Sequence, residues 1–529
     1  MNFIRCSSLS VFSTADPRRS ASPRVRKRKF ERIWASGLAV RRLALASLAL
    51  SATPLFAADF TSTWIGGSGN WSTPANWNTP GAPGTFPDGL NYDAILASPV
   101  TITLDLNITI QKFSLSNGRV DGGFNLTLSD SLIWTAGSMS GTGTTSVAGA
   151  TISGGSGKGL DRILSNSGTI TYSSADAVNP IFFGLISGAI AGVLNNSGTF
   201  NTTAGGDFAQ GNANAGHAIN NSGIWNVSGA GTTSSVSNNT GSVSVQSGTL
   251  SLQGVTQLSG STLTGGTWSV STNATLSIMT GGNITTSSGS VSLSGANSAF
   301  SKINTLATNN GTFAIGAGRN FGTVGNLANA GTLSVGTGSV FTVNGNLSGT
   351  GAATLAAGGA MTVVQAGAST YSGSIAGGGT FAKQGAGALT LSGPLSVATL
   401  NADAGTLNVN TNANLATVNA TATVNFGASQ TLAALNIGAA GRVTLAAQAP
   451  AAATEVTVID TESPGDAELD AAVNFDDASL PPGAFSQQDG IVASPDAAWA
   501  NDAVQAVPEP GPPGLLLLSA MTMLRRRRR

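Results

Sequence analysis

From Val100 onward, apolar and polar residues alternate in short runs. Examples are Thr101-Ile-Thr-Leu-Asp-Leu-Asn-Ile-Thr-Ile110, Phe124-Asn-Leu-Thr-Leu128 and Leu132-Ile-Trp134. A period of two suits strands with one buried face, and clusters of turn formers separate the runs. Gly311-Thr-Phe-Ala-Ile-Gly-Ala-Gly-Arg-Asn-Phe321 laid over Gly331-Thr-Leu-Ser-Val-Gly-Thr-Gly-Ser-Val-Phe341 matches in both leading residues, two later Gly and the closing Phe. The offset is 20 residues. A related phrase recurs at Asn166-Ser-Gly-Thr-Ile170, Asn196-Ser-Gly-Thr-Phe200, Asn221-Ser-Gly-Ile-Trp225 and Asn239-Thr-Gly-Ser-Val243. Asn and Gly enter left-handed backbone conformations readily, so they are expected at corners. Self-similarity at this spacing marks a solenoid, whose coils bury their apolar faces only by stacking. The pattern predicts an all-β, elongated parallel β-helix over residues 101–445. Coils of about 20–25 residues stacked about 4.8 Å apart would give about 14–17 coils and a rod of about 65–80 Å.

Three stretches interrupt the alternation. Residues 59–100 hold Trp64, Trp71 and Trp77 among turn formers, too many large rings for one short strand. They are expected to plug the open end of the core as an N-terminal cap, where an uncovered edge would invite aggregation. A carbohydrate-stacking platform is the alternative role for three flat indoles. The run Ile181–Leu194 is apolar but, at 14 residues, short for a bilayer span of about 20. It is expected to form a buried pair of strands or a short inserted helix. Residues 446–506 lose the pattern and carry eleven acidic and no basic residues between Glu455 and Asp502, which suggests an acidic cap over 453–493 grading into a linker.

Composition narrows the function. The 529 residues include 70 Gly and only 9% charged residues, but 41% are apolar, enough for a thin core rather than a disordered chain. Residues 1–58 hold 11 of the 24 basic residues, and the last five residues are all Arg. The body from 59 to 508 keeps 8 basic and 21 acidic residues, a net charge of about −13 that argues against nucleic acid as a partner. His217 is the one histidine and Cys6 the one cysteine, so a histidine-based triad or a zinc site has little to draw on. Scattered Asp residues beside Gly, Asn or Ser read as turn formers. Only Asp121 with Arg119, and Asp161 with Lys158 and Arg162, approach the grouping a β-helix polysaccharide lyase or hydrolase needs. The run Ser153-Gly-Gly-Ser-Gly-Lys158-Gly159 fails as a phosphate-binding loop, because Gly159 replaces the required hydroxyl. No enzyme activity, cofactor or metal is expected.

The two ends read as addresses. Residues 1–58 combine a basic stretch through Arg41-Arg42, the apolar Leu43–Leu50 and the small Ala57-Ala58, an export signal for removal by signal peptidase. At the other end, Val507-Pro508-Glu509-Pro510 precedes an apolar segment and Arg525, Arg526, Arg527, Arg528 and Arg529. An Arg cluster behind an apolar segment halts an exported chain at the inner membrane. Gly514–Leu524 spans about 16 Å as a helix against about 30 Å of hydrocarbon, so insertion by this short hydrophobic helix would be transient.

Residues 507–529 resemble the PEP-CTERM sorting signal. That resemblance implies recognition and removal of the tail by an exosortase-type enzyme. It also implies delivery to the surface or matrix of a Gram-negative bacterium that makes exopolysaccharide. Within the body, Gly379-Thr-Phe-Ala-Lys-Gln-Gly-Ala-Gly-Ala-Leu-Thr-Leu-Ser-Gly393, with Tyr371-Ser-Gly before it and Gly405-Thr-Leu407 after it, is similar to the autotransporter-associated β-strand repeat. Trp64, Asn70-Trp71, Asn76-Trp77, Pro83 and Asp93 are similar to the opening segment of proteins carrying that repeat. The resemblance implies an exported parallel β-helix. The expectation is therefore a non-enzymatic surface or matrix protein that presents ladders of Ser, Thr and Asn, structural or adhesive among exopolysaccharide. A carbohydrate-binding adhesin using the Trp residues is the alternative.

Overall fold

A computed structural model of the chain describes residues 58–445 apart from 174–179, 187–188, 204–206, 212–215 and 230, together with Val458–Ile459 and Val473–Phe475. These residues form a parallel β-solenoid of about 17 turns. The repeat seen in the sequence is the strand register itself. Thr312 pairs with Thr332, Phe313 with Leu333, Ile315 with Val335 and Phe321 with Phe341. Coil length follows local sequence: 20 residues there, 17 between Asn408 and Asn425, and 30 between Asn166 and Asn196.

Inward and outward residues alternate along the short strands, as in Thr267–Val270 and Val340–Val343. The inward residues of successive coils build one apolar core running from Trp64 to Val443. Each fully buried Leu, Val or Phe contributes about 1.5–3 kcal/mol, and only stacking supplies that burial. Phe321 and Phe341 stack one coil apart with centroids 5.5 Å apart, and Phe313 packs against both.

The corners differ from the expectation of left-handed backbone. None of Asn166, Asn196, Asn221 and Asn239 has positive φ, and neither do the glycines two residues after them. Their glycines answer a different constraint. A Cβ on Gly198, Gly223, Gly331 or Gly351 would fall on the carbonyl oxygen of the corresponding glycine one coil earlier. The corner column is glycine because consecutive backbones pass too close for a methyl group.

The apolar run folds as two short strands, Ile181–Phe183 and Val193–Asn196, not as a helix. It is not wholly buried, since Leu185 and Ile186 between the strands are exposed. At the other end, Leu435-Asn436 pairs with Val458–Ile459, and Val443–Leu445 with Val473–Phe475. The rest of the acidic 446–506 segment, the export signal up to residue 57 and the sorting tail 507–529 lie outside the described residues. No helix among the described residues is long and apolar enough to cross a membrane.

Candidate binding groove

The three tryptophans are buried at the N-terminal end of the described coils, which corrects the stacking-platform expectation. Trp64, Trp71 and Trp77 are 2%, 0% and 5% exposed. Trp77 meets Trp64 edge-on at 4.9 Å and Trp71 at 4.8 Å, and Trp71 packs on Phe113. Each indole N–H is also engaged: Trp64 Nε1 donates to the Gly66 and Gly67 carbonyls, Trp71 Nε1 to Pro87, and Trp77 Nε1 to Trp71. No indole face is left open for a sugar ring. The sorting residues Val507, Pro508, Glu509, Pro510 and Arg525 to Arg529 lie outside the described residues.

Among the described residues, the acid–base groups are engaged by one another or by the backbone, and Asp121 also lies close enough to Arg162 to act on its charge. Arg119 and Asp121 form a partly exposed ion pair at 3.2 Å. Lys158 and Arg162 are buried and donate hydrogen bonds to backbone carbonyls, Lys158 to Gly154 and Ser156, Arg162 to Ser140 and Phe124. Burial pushes the Lys158 ammonium below its usual range and the Arg162 guanidinium down to about 10. Asp161 accepts the Ile186 N–H on both oxygens. Sequence reading missed a third grouping: Lys112 bonds Asp130 at 3.3 Å, and Asp93 lies one coil before Lys112. Burial raises the Asp93 carboxyl, against the pull of Lys112. Asp93 and Lys112 share a strand pair, a relation that the 19-residue offset hides until the register is known. Among the described residues, no three His, Cys, Asp or Glu side chains come together as a metal-ligand set.

What the repeated phrase builds is a pair of polar ladders with a groove beside them. Inside the corner, Asn166 donates its amide to Asn196, Asn196 to Asn221 and Asn221 to Asn239, at 2.7, 2.7 and 2.8 Å. Each of these donors also reaches a backbone carbonyl of the next coil, at Thr199, Ile224 and Ser242. Buried amides must be paired, and the ladder pairs them coil by coil. A second ladder links Asn309 to Asn329 and ends on Tyr371, whose hydroxyl donates to the Gly351 carbonyl.

The residue before each inner Asn points outward. Ser146, Ser165, Asn195, Asn220 and Asn238 form one column, each in register with the next. The Asn220 amide donates to Asn195 at 2.9 Å. On the far side of the corner runs a hydroxyl column of Ser167, Ser197, Ser222 and Thr240. The first three donate to carbonyls of the preceding coil, at Val147, Asn166 and Asn196. Between the columns lies a groove of about 430 Å³, lined only by Ser, Asn and Thr. The Asn-Asn doublets at 195–196, 220–221 and 238–239 are its signature in the sequence, one Asn turned out and one in.

No family model, no curated protein and no solved structure matched the chain. The geometry therefore carries the functional reading. Fixed amides and hydroxyls repeating every coil can hydrogen-bond a partner that repeats along the same axis.

Proposed function

We propose that this is an exported, non-enzymatic component of a bacterial surface or extracellular matrix, structural or adhesive among exopolysaccharide. Its export signal would be cut by signal peptidase. Its tail would insert transiently in the inner membrane and be processed by an exosortase-type enzyme. The observation that carries this reading is the coil-by-coil display of Ser, Thr and Asn on a solenoid whose inner Asn side chains hydrogen-bond from coil to coil. A display surface needs repetition, and the strand register repeats these groups from coil to coil. The buried Trp cluster suits an N-terminal cap, and the acidic 446–506 segment a C-terminal cap or linker. With a body near −13, polyanionic nucleic acid is not the partner.

Mass spectrometry of both mature termini, with cell fractionation, tests the reading. The expected product begins near residue 58, ends near Pro510 and appears at the surface or in the medium. Replacing Pro508, Glu509 and Pro510 with Ala should leave uncleaved protein in the membrane fraction. Unchanged processing would remove the sorting claim. Turnover of any polysaccharide by the mature protein would replace the non-enzymatic reading with a lyase or hydrolase.

A further inference from the structure

We propose that the groove between the outward amide column and the hydroxyl column binds a single strand of uncharged polysaccharide lying along the stacking axis. This deepens the matrix reading and rests on it. Three observations carry it. The lining is wholly Ser, Asn and Thr, with no charged side chain, so it offers nothing to neutralise an anionic or cationic polymer. The donors and acceptors are mixed: Ser197 and Ser222 spend their protons on the preceding coil and keep lone pairs, while the outward amides of Asn195 and Asn220 bring N–H groups. A sugar hydroxyl both donates and accepts, and it fits that mixture. Several of the groups are also held in place, Asn195 and Asn220 by each other, Asn238 by Thr256 and Gln257, and Ser167, Ser197 and Ser222 by backbone carbonyls, so these lose little side-chain freedom on binding.

The length follows from the register. Five coils at about 4.8 Å spacing give a groove about 19 Å long. A peptide strand is a poorer occupant, because it pairs with free backbone edges and the corner backbones here are used in stacking. For example, Ser197, Ser222 and Thr240 N–H groups donate to Asn166, Asn196 and Asn221 carbonyls.

The test is calorimetric titration of the protein purified after export with neutral glucan, mannan and galactan oligosaccharides, from disaccharide to octasaccharide. Polyuronate oligomers of equal length serve as the anionic comparison. At least one neutral series should bind, with affinity rising with length until the oligomer spans the groove and then levelling. The double variant Asn195→Ala/Asn220→Ala should lose about tenfold or more in affinity, the effect of about 1.4 kcal/mol of lost hydrogen bonding. If that variant misfolds by circular dichroism, the near-isosteric Asn220→Asp should show the same loss. Asn419→Ala, in the outer ladder that joins Asn401, Asn419 and Asn436, should bind as the parent does. The proposal is overturned if no neutral series binds, if the groove variants bind normally, or if the polyuronates bind more tightly. Failure here with correct export leaves the surface reading standing. Neutral-glycan binding by a chain that is never exported removes the surface reading and keeps the groove.

Discussion

One methyl group separates glycine from alanine, and at Gly331 that methyl would land on the Gly311 carbonyl oxygen, a backbone atom that cannot swing aside. Gly331→Ala should therefore cost at least about 2 kcal/mol, while Gly325→Ala, with open space around the added carbon, should stay within about 0.5 kcal/mol. Thermal melting of the pair checks this. The sequence showed where the corner glycines are but not why. Positive φ and close backbone approach both select glycine, and composition cannot tell them apart. The Asn ladder obeys similar logic. Asn221→Leu would strand the Asn196 donor and the Asn239 acceptor in the core and should cost about 2–4 kcal/mol in denaturant titration. The second ladder has a gap at its head. Ser287 sits in register above Asn309, and Ser287 Oγ and Asn309 Oδ1 are both buried without a partner. Serine is too short to reach. Ser287→Asn should close that gap and raise stability by about 1 kcal/mol; an unchanged or lower melting temperature would show that the coil above cannot accommodate the amide.

Among the coils, the stretch from Ile181 to Asn221 departs furthest from regularity, with loops extending one coil to 30 residues. It also holds His217, buried and stacked on Phe183 with centroids 6.0 Å apart. Its Nδ1 accepts the Gly192 N–H at 3.0 Å, so the two loop ends meet through a neutral imidazole. Burial holds His217 below its usual range, with the Asp161 carboxylate pulling the other way. The folded chain thus resists protonation that the unfolded chain accepts near pH 6.5. The stabilising contribution is complete above that pH and is lost as pH falls toward the depressed folded value. His217→Gln keeps an acceptor for Gly192 without titrating. Between pH 7 and pH 5 the parent should lose stability relative to this variant, by at most about 1.4 kcal/mol per pH unit. Parallel melting curves across that range would remove the assignment. None of this was legible beforehand: a single His in Asn214-Ala-Gly-His217-Ala-Ile gives no hint that its partner is a backbone amide 25 residues away. The tryptophans were expected as a plug of the core, but their packing partners were not legible, for a related reason. Spacing among turn formers fixed that they could not share a strand, but burial depends on which coil closes over them, and Phe113 belongs to a later strand, Ile108–Leu115.

Within the solenoid, each coil is a module defined by register. The 20-residue offset was readable because pairing in a parallel stack puts like residues over like, so repetition in sequence becomes contact in space. Removing residues 312–331 would join Gly311 to Thr332 and leave the phrase Asn309-Asn-Gly followed by Thr332-Leu-Ser-Val335. Asn309 would then take the place of Asn329 against the Tyr371 hydroxyl, and Phe341 the place of Phe321 in the core. The deleted chain should fold with a parent-like β circular dichroism spectrum and lose only the neighbour interactions of one coil. Removing ten residues, 312–321, should not be tolerated. It would put Gly322 where Thr312 stood and Val324 where Ala314 stood, turn Thr323 into the core position of Phe313, and break the Asn309–Asn329 bond. Half a coil cannot be absorbed by a stack in which every inward side chain and every ladder amide is placed by the coil before it. Equal tolerance of the two deletions would mean that the core does not read register at all, and the ladders and the groove they frame would lose their structural basis.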